Sequence, residues 1–320
     1  MGAIRESIKL VASTEGAIAP PPLLSGHKSR SRPKSHATYP QRERKRDAMN
    51  STPANENFDT YLEFALTLAK SSGELVLPYY RKPLAIEDKN LAKGIAGFDP
   101  VTAADKAVEA LIRREVERRF PEHGILGEEY GSTRPRAPFQ WIIDPIDGTR
   151  SFMMGLPTWG TLIALSHHGV PLLGLMSQPF TGEVFWSTRD GARTRGPLGE
   201  QTLAVRPCQG LDKAVLGSTH PSLFRTAEEW RRFETVMGRV KMARYGGDCY
   251  LYCLLAAGQV DLIIEANLQP FDVAALVPII ERAGGIITTW DGGPAAAGGR
   301  IIAAGDRRVY DEAMALLNAS

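Results

Sequence analysis

From Phe58 onward the chain repeats apolar residues at helical spacing: Phe58, Leu62, Ala65, Leu66 and Ala69, then Leu75, Val76 and Tyr79. That period predicts an amphipathic helix over residues 58–80. Residues 87–101, with Gly94 and Gly97 among charged positions, show no period and are expected to form a flexible loop. Thr102 to Phe120 carries the clearest helical stripe, with Val108, Leu111, Ile112, Val116 and Phe120 on one face. Thr102 and Asp105 have the spacing of a capping box at its start, and Pro121 ends it.

The apolar runs that follow are too short for helices. Gly124 to Leu126, Trp141 to Ile143, Thr161 to Ser166, Leu172 to Gln178 and Glu183 to Ser187 are expected as strands. Several should run antiparallel, joined by turns such as His168-Gly169. After a strand at Val215 to Ser218 the pattern alternates. Helices are expected at Asp248 to Ala257, Asp272 to Ala283 and Val309 to Leu317, and strands at Asp261 to Glu265, Ile286 to Thr289 and Ile301 to Ala304. The sum is a layered α/β protein with sheets and helices segregated in two halves. No internal repeat is visible.

The first 48 residues differ from this. They hold ten Lys/Arg against four Asp/Glu and a Pro20-Pro21-Pro22 run, with no amphipathic period, and read as disordered. Three readings are open: a start upstream of the true first residue Met49, an organelle-targeting segment, or a nucleic-acid contact. The first is preferred. The remainder is net acidic, which does not suggest a nucleic-acid-binding core. Cys208, Cys249 and Cys253 are too few for a disulfide framework and fit a reducing cytoplasm. No run approaches the length needed to span a membrane.

The candidate chemistry is acidic. Trp141-Ile142-Ile143-Asp144-Pro145-Ile146-Asp147-Gly148-Thr149 runs from an apolar strand into two carboxylates three residues apart. Pro145 is expected to stop the strand, leaving Asp144 and Asp147 on a tight loop. Paired hard oxygen ligands suit Mg²⁺. The N–H groups of Gly148 and Thr149 suit a phosphate if a helix starts there. Glu128, Asp272 and Asp105 also stand at element ends, where each alone reads more readily as a capping or solvated acid. His123, His167, His168 and His220 are not expected as catalysts.

Four motifs in order then resemble the inositol monophosphatase-like family of Mg²⁺-dependent, lithium-sensitive phosphatases. They are Asp99 to Asp105, Gly127-Glu128-Glu129, Trp141 to Thr149, and Phe271 to Ala275. The resemblance covers about residues 58–318 and implies an αβαβα five-layer sandwich of the inositol monophosphatase and fructose-1,6-bisphosphatase type. The tail is read as a disordered basic extension over residues 1–50, and the resemblance implies a phosphatase domain over 51–320, whose α+β half ends near residue 205. It implies two or three Mg²⁺ ions: one held by Glu128, Asp144 and the Ile146 carbonyl, another by Asp144, Asp147 and Asp272. Asp105 and Thr149, with Glu128, are implied as catalytic residues that orient a water for in-line attack, and Gly148 and Thr149 as the phosphate cradle. Lys93 is implied to sit on a mobile loop near the site. A homodimer acting on a small phosphate ester, with no membrane or nucleic-acid partner, is the implied form.

Past Thr149 the sequence resembles the histidinol-phosphatase branch. Arg150-Ser151-Phe152 replaces the Thr/Val-Asn-Phe usual in the inositol enzymes, and Gly246-Gly247-Asp248-Cys249 puts an acid where those carry small residues. Arg150, Asp248 and Glu265 are the expected substrate residues, because two acids suit a cationic ammonium and imidazole. Histidinol phosphate is the first expectation. Inositol monophosphate or a broad range of sugar phosphates is the second, and a nucleotide bisphosphate the third.

Overall fold

The computed structural model describes residues 57–83, 86–89, 91 and 100–319. The expectations for residues 1–50 lie outside them. Helix α1 is Phe58–Val76. Strands β1 (Ile86–Asp88) and β2 (Pro100–Thr102) pair antiparallel, Ile86 opposite Thr102. The two ends of the expected loop are therefore a short ladder. Helix α2 (Ala103–Arg119) follows with the capping box realised: Ala104 N donates to Thr102 Oγ1, and Thr102 N donates to the Asp105 carboxylate at 2.8 Å.

An eight-stranded sheet comes next. Its strands are β3 (Gly124–Gly127), β4 (Gly131–Thr133), β5 (Phe139–Asp147), β6 (Gly160–His167), β7 (Val170–Gln178), β8 (Glu183–Ser187), β9 (Ala192–Gly196) and β10 (Gly199–Thr202), with short helix α3 (Thr149–Met154) between β5 and β6. The spatial order is β10-β9-β8-β7-β6-β5-β3-β4, mostly antiparallel, with β3 and β5 parallel. A five-stranded sheet follows, in order β12-β11-β13-β15-β14. It contains β11 (Val215–Ser218), β12 (Met242–Tyr245), β13 (Leu262–Leu268), β14 (Ile286–Thr289) and β15 (Gly299–Ala304). Its helices are α4 (Ala227–Met237), α5 (Asp248–Ala256), α6 (Pro270–Val273), α7 (Leu276–Arg282) and α8 (Arg307–Leu317).

Three cores set the layers. Side chains alternate across a strand, so a strand buried on both faces feeds two cores. Trp141, Ile143, Ile163 and Leu165 pack with α1 and α2 on one face of the large sheet. Ile142, Leu162 and Ala164 pack on its other face with α5 and α7, where they meet Ile263, Ile301 and Ala303 of the small sheet. Leu262, Ile264, Ile302 and Ala304 pack outward against α4 and α8. The fold is thus an α-β-α-β-α sandwich. Among the described residues no helix is long and apolar enough to cross a membrane.

The sequence pattern misleads in three places. Pro145 does not stop β5. The strand continues to Asp147 with a register shift, Asp144 opposite Leu162 and Asp147 opposite Gly160. Proline is tolerated because its missing N–H falls in that bulge. The helix expected over 272–283 is two helices, α6 and α7, broken at Ala274-Ala275. Helix α4 and strands β4, β9, β10 and β12 carry mainly polar or exposed residues, so an apolar period did not mark them.

Candidate active site

The β5 bulge ends where α3 begins, and these two features aim the site. Asp144 is buried, and its Oδ1 accepts from Ile146 N at 3.1 Å. Thr149 Oγ1 donates to the Ile146 carbonyl at 3.1 Å. Gly148, the N-cap of α3, has φ +81, and a Cβ there would lie 2.8 Å from Asp248 Cγ. Both the left-handed turn and the close approach exclude a side chain.

Asp272 joins from the other sheet's side. It stands at the third position of α6, and Gln269 N donates to its Oδ2 at 2.7 Å. Asp147 Oδ2 accepts from Cys249 N, the second residue of α5, at 2.8 Å. Asp144, Asp147 and Asp272 each offer one carboxylate oxygen within 4.8 Å of the others. Burial raises the pKa of all three, and the neighbouring acids raise it further. Around Asp144 these are Glu128, Asp147, Asp272 and Asp105. Asp272 is pushed up to about 7, by burial first and by Glu128 and Glu265 among its neighbours.

Glu128 stands on the turn after β3, its N–H donating to the Ile143 carbonyl at 3.3 Å. Burial also raises its pKa, opposed by Lys89. Lys89 Nζ donates to Glu128 Oε1 at 2.7 Å and to Glu129 Oε1 at 3.0 Å. Asp105 is fully buried. Its Oδ2 accepts from Thr102 Oγ1 at 2.6 Å, while its Oδ1 has no hydrogen-bond partner among the described residues. Burial pushes it up to about 6.

Glu128, Asp144, Ile146, Asp147, Gly148, Thr149, Arg150, Asp248, Glu265 and Asp272 line one cavity of about 490 Å³. Asp105 lies outside that lining, although its charge acts on Asp144 and Glu128. Lys93 falls outside the described residues. Asp248 Oδ2 accepts from Ser151 Oγ at 2.6 Å and Thr158 Oγ1 at 3.1 Å, and burial raises its pKa. Glu265 is buried and close enough for the Asp248 charge to act on it. Its oxygens accept from Thr219 N at 2.6 Å and Tyr252 Oη at 2.9 Å, and burial pushes it up to about 7. Leu156, Leu223 and Leu268 add an apolar wall.

Sequence reasoning missed Lys89, Ser151, Thr158 and the Cys249 amide. Ser151 lies in the stretch already singled out as discriminating, so its hydroxyl was a readable signal. The Asp147–Cys249 bond joins residues far apart in the chain and had none. The histidines have other partners than the acids. Trp141 Nε1 donates to His123 Nδ1 at 3.2 Å, and His123 stacks on Phe120 and Phe139. His220 is at the cavity's lining but caps the turn at Ser222.

Four or five clustered carboxylates are costly without a counter-charge. Oxygen donors alone, repelling one another and partly open to a cavity, fit a hard divalent cation.

The model described as the inositol monophosphatase family matches residues 57–320. The chain is 40% identical to the bifunctional phosphatase IMPL2, chloroplastic, of Arabidopsis thaliana, over 84% of this chain and 80% of that protein. It is 35% identical to a histidinol-phosphatase of Mycobacterium tuberculosis, over 81% and 98%. Among solved structures, an inositol monophosphatase from Zymomonas mobilis superposes with a TM-score of 0.72 at 37% identity, covering 82% of this chain and 99% of that one.

Proposed function

The chain belongs to the inositol monophosphatase family, on its histidinol-phosphatase branch, and we propose that it hydrolyses L-histidinol phosphate to L-histidinol and phosphate with Mg²⁺. One observation carries the chemistry: Asp144, Asp147 and Asp272 bring carboxylate oxygens within 4.8 Å of one another on the cavity floor. Glu128, Asp144 and the Ile146 carbonyl would hold one ion, and Asp144, Asp147 and Asp272 a second. Bound Mg²⁺ supplies positive charge that offsets the phosphate's and makes a water more acidic.

The remaining work falls to the chain. Gly148 and Thr149, at the N-terminal end of α3, direct backbone N–H groups at phosphate oxygens. Thr149 Oγ1 is fixed by its bond to the Ile146 carbonyl, which orients its lone pairs. Asp105 Oδ1, buried behind the cavity's lining and without a partner among the described residues, is the acceptor toward which the attacking water would be oriented. Water then attacks the phosphorus in line with the leaving alkoxide, and no enzyme nucleophile is involved.

Substrate choice rests on Asp248, which lines the cavity and whose Oδ2 is held by Ser151 and Thr158. An ammonium or imidazolium is favoured there, and Glu265 adds negative charge behind. Arg150 flanks the opening. The relative from Zymomonas mobilis is an inositol monophosphatase of similar identity, so inositol 1-phosphate is the alternative reading.

A homodimer is part of the same proposal. Arg81 bonds the Gly155 carbonyl and lies over the Phe180 ring, and exposed Phe180 and Leu156 are apolar side chains that a second copy would cover. Sedimentation equilibrium tests it. The function is tested by phosphate release from L-histidinol phosphate, inositol 1-phosphate and 3′-phosphoadenosine 5′-phosphate, side by side with Mg²⁺ and with chelator. No Mg²⁺-dependent release from any ester overturns the enzymatic reading. Preference for inositol 1-phosphate overturns the substrate.

A further inference from the structure

We infer that Glu109, which no metal or substrate role has been given, is a positioning residue that fixes Glu128 at its place over Asp144. The inference rests on the proposal that Glu128 is a metal ligand. Asp105, Glu109 and Arg113 lie one turn apart on α2 and so share one face. Glu109 is fully buried. Its two oxygens accept the backbone N–H groups of Glu129 at 2.6 Å and Tyr130 at 3.1 Å, the two residues immediately after Glu128. Arg113 Nε donates to Glu109 Oε1 at 2.7 Å, so the buried carboxylate is paired.

The same guanidinium extends the grip. Arg113 donates to the Thr133 hydroxyl at 3.1 Å and to the Gly131 carbonyl. The whole turn from Glu129 to Thr133 is thus bound to one helix face, and that face begins with Asp105. On the other side of Glu128, Gly127 is pressed against the clamp. A Cβ there would lie 2.0 Å from Glu109 Oε1, so only glycine lets the carboxylate reach the turn. The turn's own sequence has no proline or apolar anchor to hold it.

The consequence is geometric. Glu128 has to keep its reach to the cation among carboxylates of like charge, Asp144 and Asp105 with it. A side chain in that situation withdraws if its backbone can. Two charge-assisted N–H bonds from the following residues prevent the withdrawal. Glu109 touches neither substrate nor cation in this account and acts only through Glu128.

The test is Mg²⁺ affinity by titration calorimetry on the full chain, with thermal melting in parallel. Glu109→Gln retains the shape but turns an amide donor toward an N–H. We expect its dissociation constant for Mg²⁺ to rise at least tenfold. Glu128→Gln should weaken binding by at least as much, and Glu109→Gln with Glu128→Gln should be no weaker than Glu128→Gln alone. A merely structural Glu109 would lower the melting temperature and leave the dissociation constant unchanged, or would weaken binding additively with Glu128→Gln. Either result overturns the inference. If Glu128→Gln alone leaves affinity unchanged, the underlying ligand assignment fails instead. Should Glu109→Gln not fold, Glu109→Asp keeps the charge beside Arg113 but shortens the reach to the Glu129 and Tyr130 N–H groups. A folded Glu109→Asp protein with wild-type Mg²⁺ affinity also overturns the inference.

Discussion

Lys89 Nζ lies 2.7 Å from Glu128 Oε1, a contact that joins the short β1–β2 ladder to the acid turn after β3. The ammonium also reaches Glu129 at 3.0 Å, and the two acids hold its pKa well above the usual lysine range. A cation placed there satisfies part of the charge that a metal would otherwise neutralise.

Lysine and metal therefore compete for Glu128. Lys89→Met should bind Mg²⁺ about three- to ten-fold more tightly in the absence of phosphate, as a like charge near the site is removed. Calorimetry at low ionic strength checks this, since screening is weakest there. Equal or weaker affinity would mean that the ammonium does not oppose the cation.

Asp144→Asn separates chemistry from stability. It removes the carboxylate shared between the two proposed cation positions, and turnover should fall about 10³-fold or more, roughly 4 kcal/mol of barrier. Without metal the same variant should melt at the same temperature or higher, because a buried carboxylate crowded by Glu128, Asp147 and Asp272 opposes folding when ionised. Near-wild-type turnover would sink the assignment of Asp144 as a shared ligand. A large fall in melting temperature would show that the carboxylate is needed for the fold.

The pH dependence of metal-free stability follows from the raised carboxyl groups. Asp105 is pushed up to about 6, and Asp272 and Glu265 to about 7, chiefly by burial. A carboxyl whose folded pKa is raised binds its proton more tightly when folded. Its contribution is complete below the unfolded pKa near 4 and is lost as pH rises toward 7. His123 acts in the opposite sense. Burial lowers it to about 4, so its contribution is present above about 6.5 and lost as pH falls toward 4. The difference between Mg²⁺-loaded and chelator-treated melting curves removes the histidine. That difference should be larger at pH 8 than at pH 5 by at least about 3 °C. A gap that is flat or shrinks with pH would contradict the linkage.

How much of this was legible depends on whether the signal is local. The Thr102–Asp105 capping box, the buried triplet Trp141-Ile142-Ile143 and the turn at His168-Gly169 were readable because neighbours in sequence determine them. The acids of the site were readable because their spacing is chemical. Pro145 misled because a local rule about proline was overridden by a bulge that only the pairing with β6 reveals. Helix α4 was missed although Thr226 and Glu229 form a capping box and Phe233 and Val236 are buried, because charged residues fill the rest of it. The Lys89–Glu128 contact and the Glu109 clamp are tertiary, and nothing in their local sequence announces them.

Asp248 offers the sharpest test of substrate choice. It has φ +45, a backbone value that asparagine adopts more readily than alanine. Asp248→Asn thus removes the charge while tolerating the turn, and the hydroxyls of Ser151 and Thr158 still find an amide oxygen to donate to. Losing one charge-assisted contact to a cationic head is worth roughly 1.5–3 kcal/mol. The kcat/KM for L-histidinol phosphate should therefore fall about ten- to hundred-fold. On 4-nitrophenyl phosphate, which carries no cation, it should change less than about three-fold. Steady-state kinetics on both esters, at saturating Mg²⁺, decide it. Equal losses would place Asp248 in the support of α3 and of the Asp147 contact at Cys249, and would return substrate choice to Arg150 and the apolar wall.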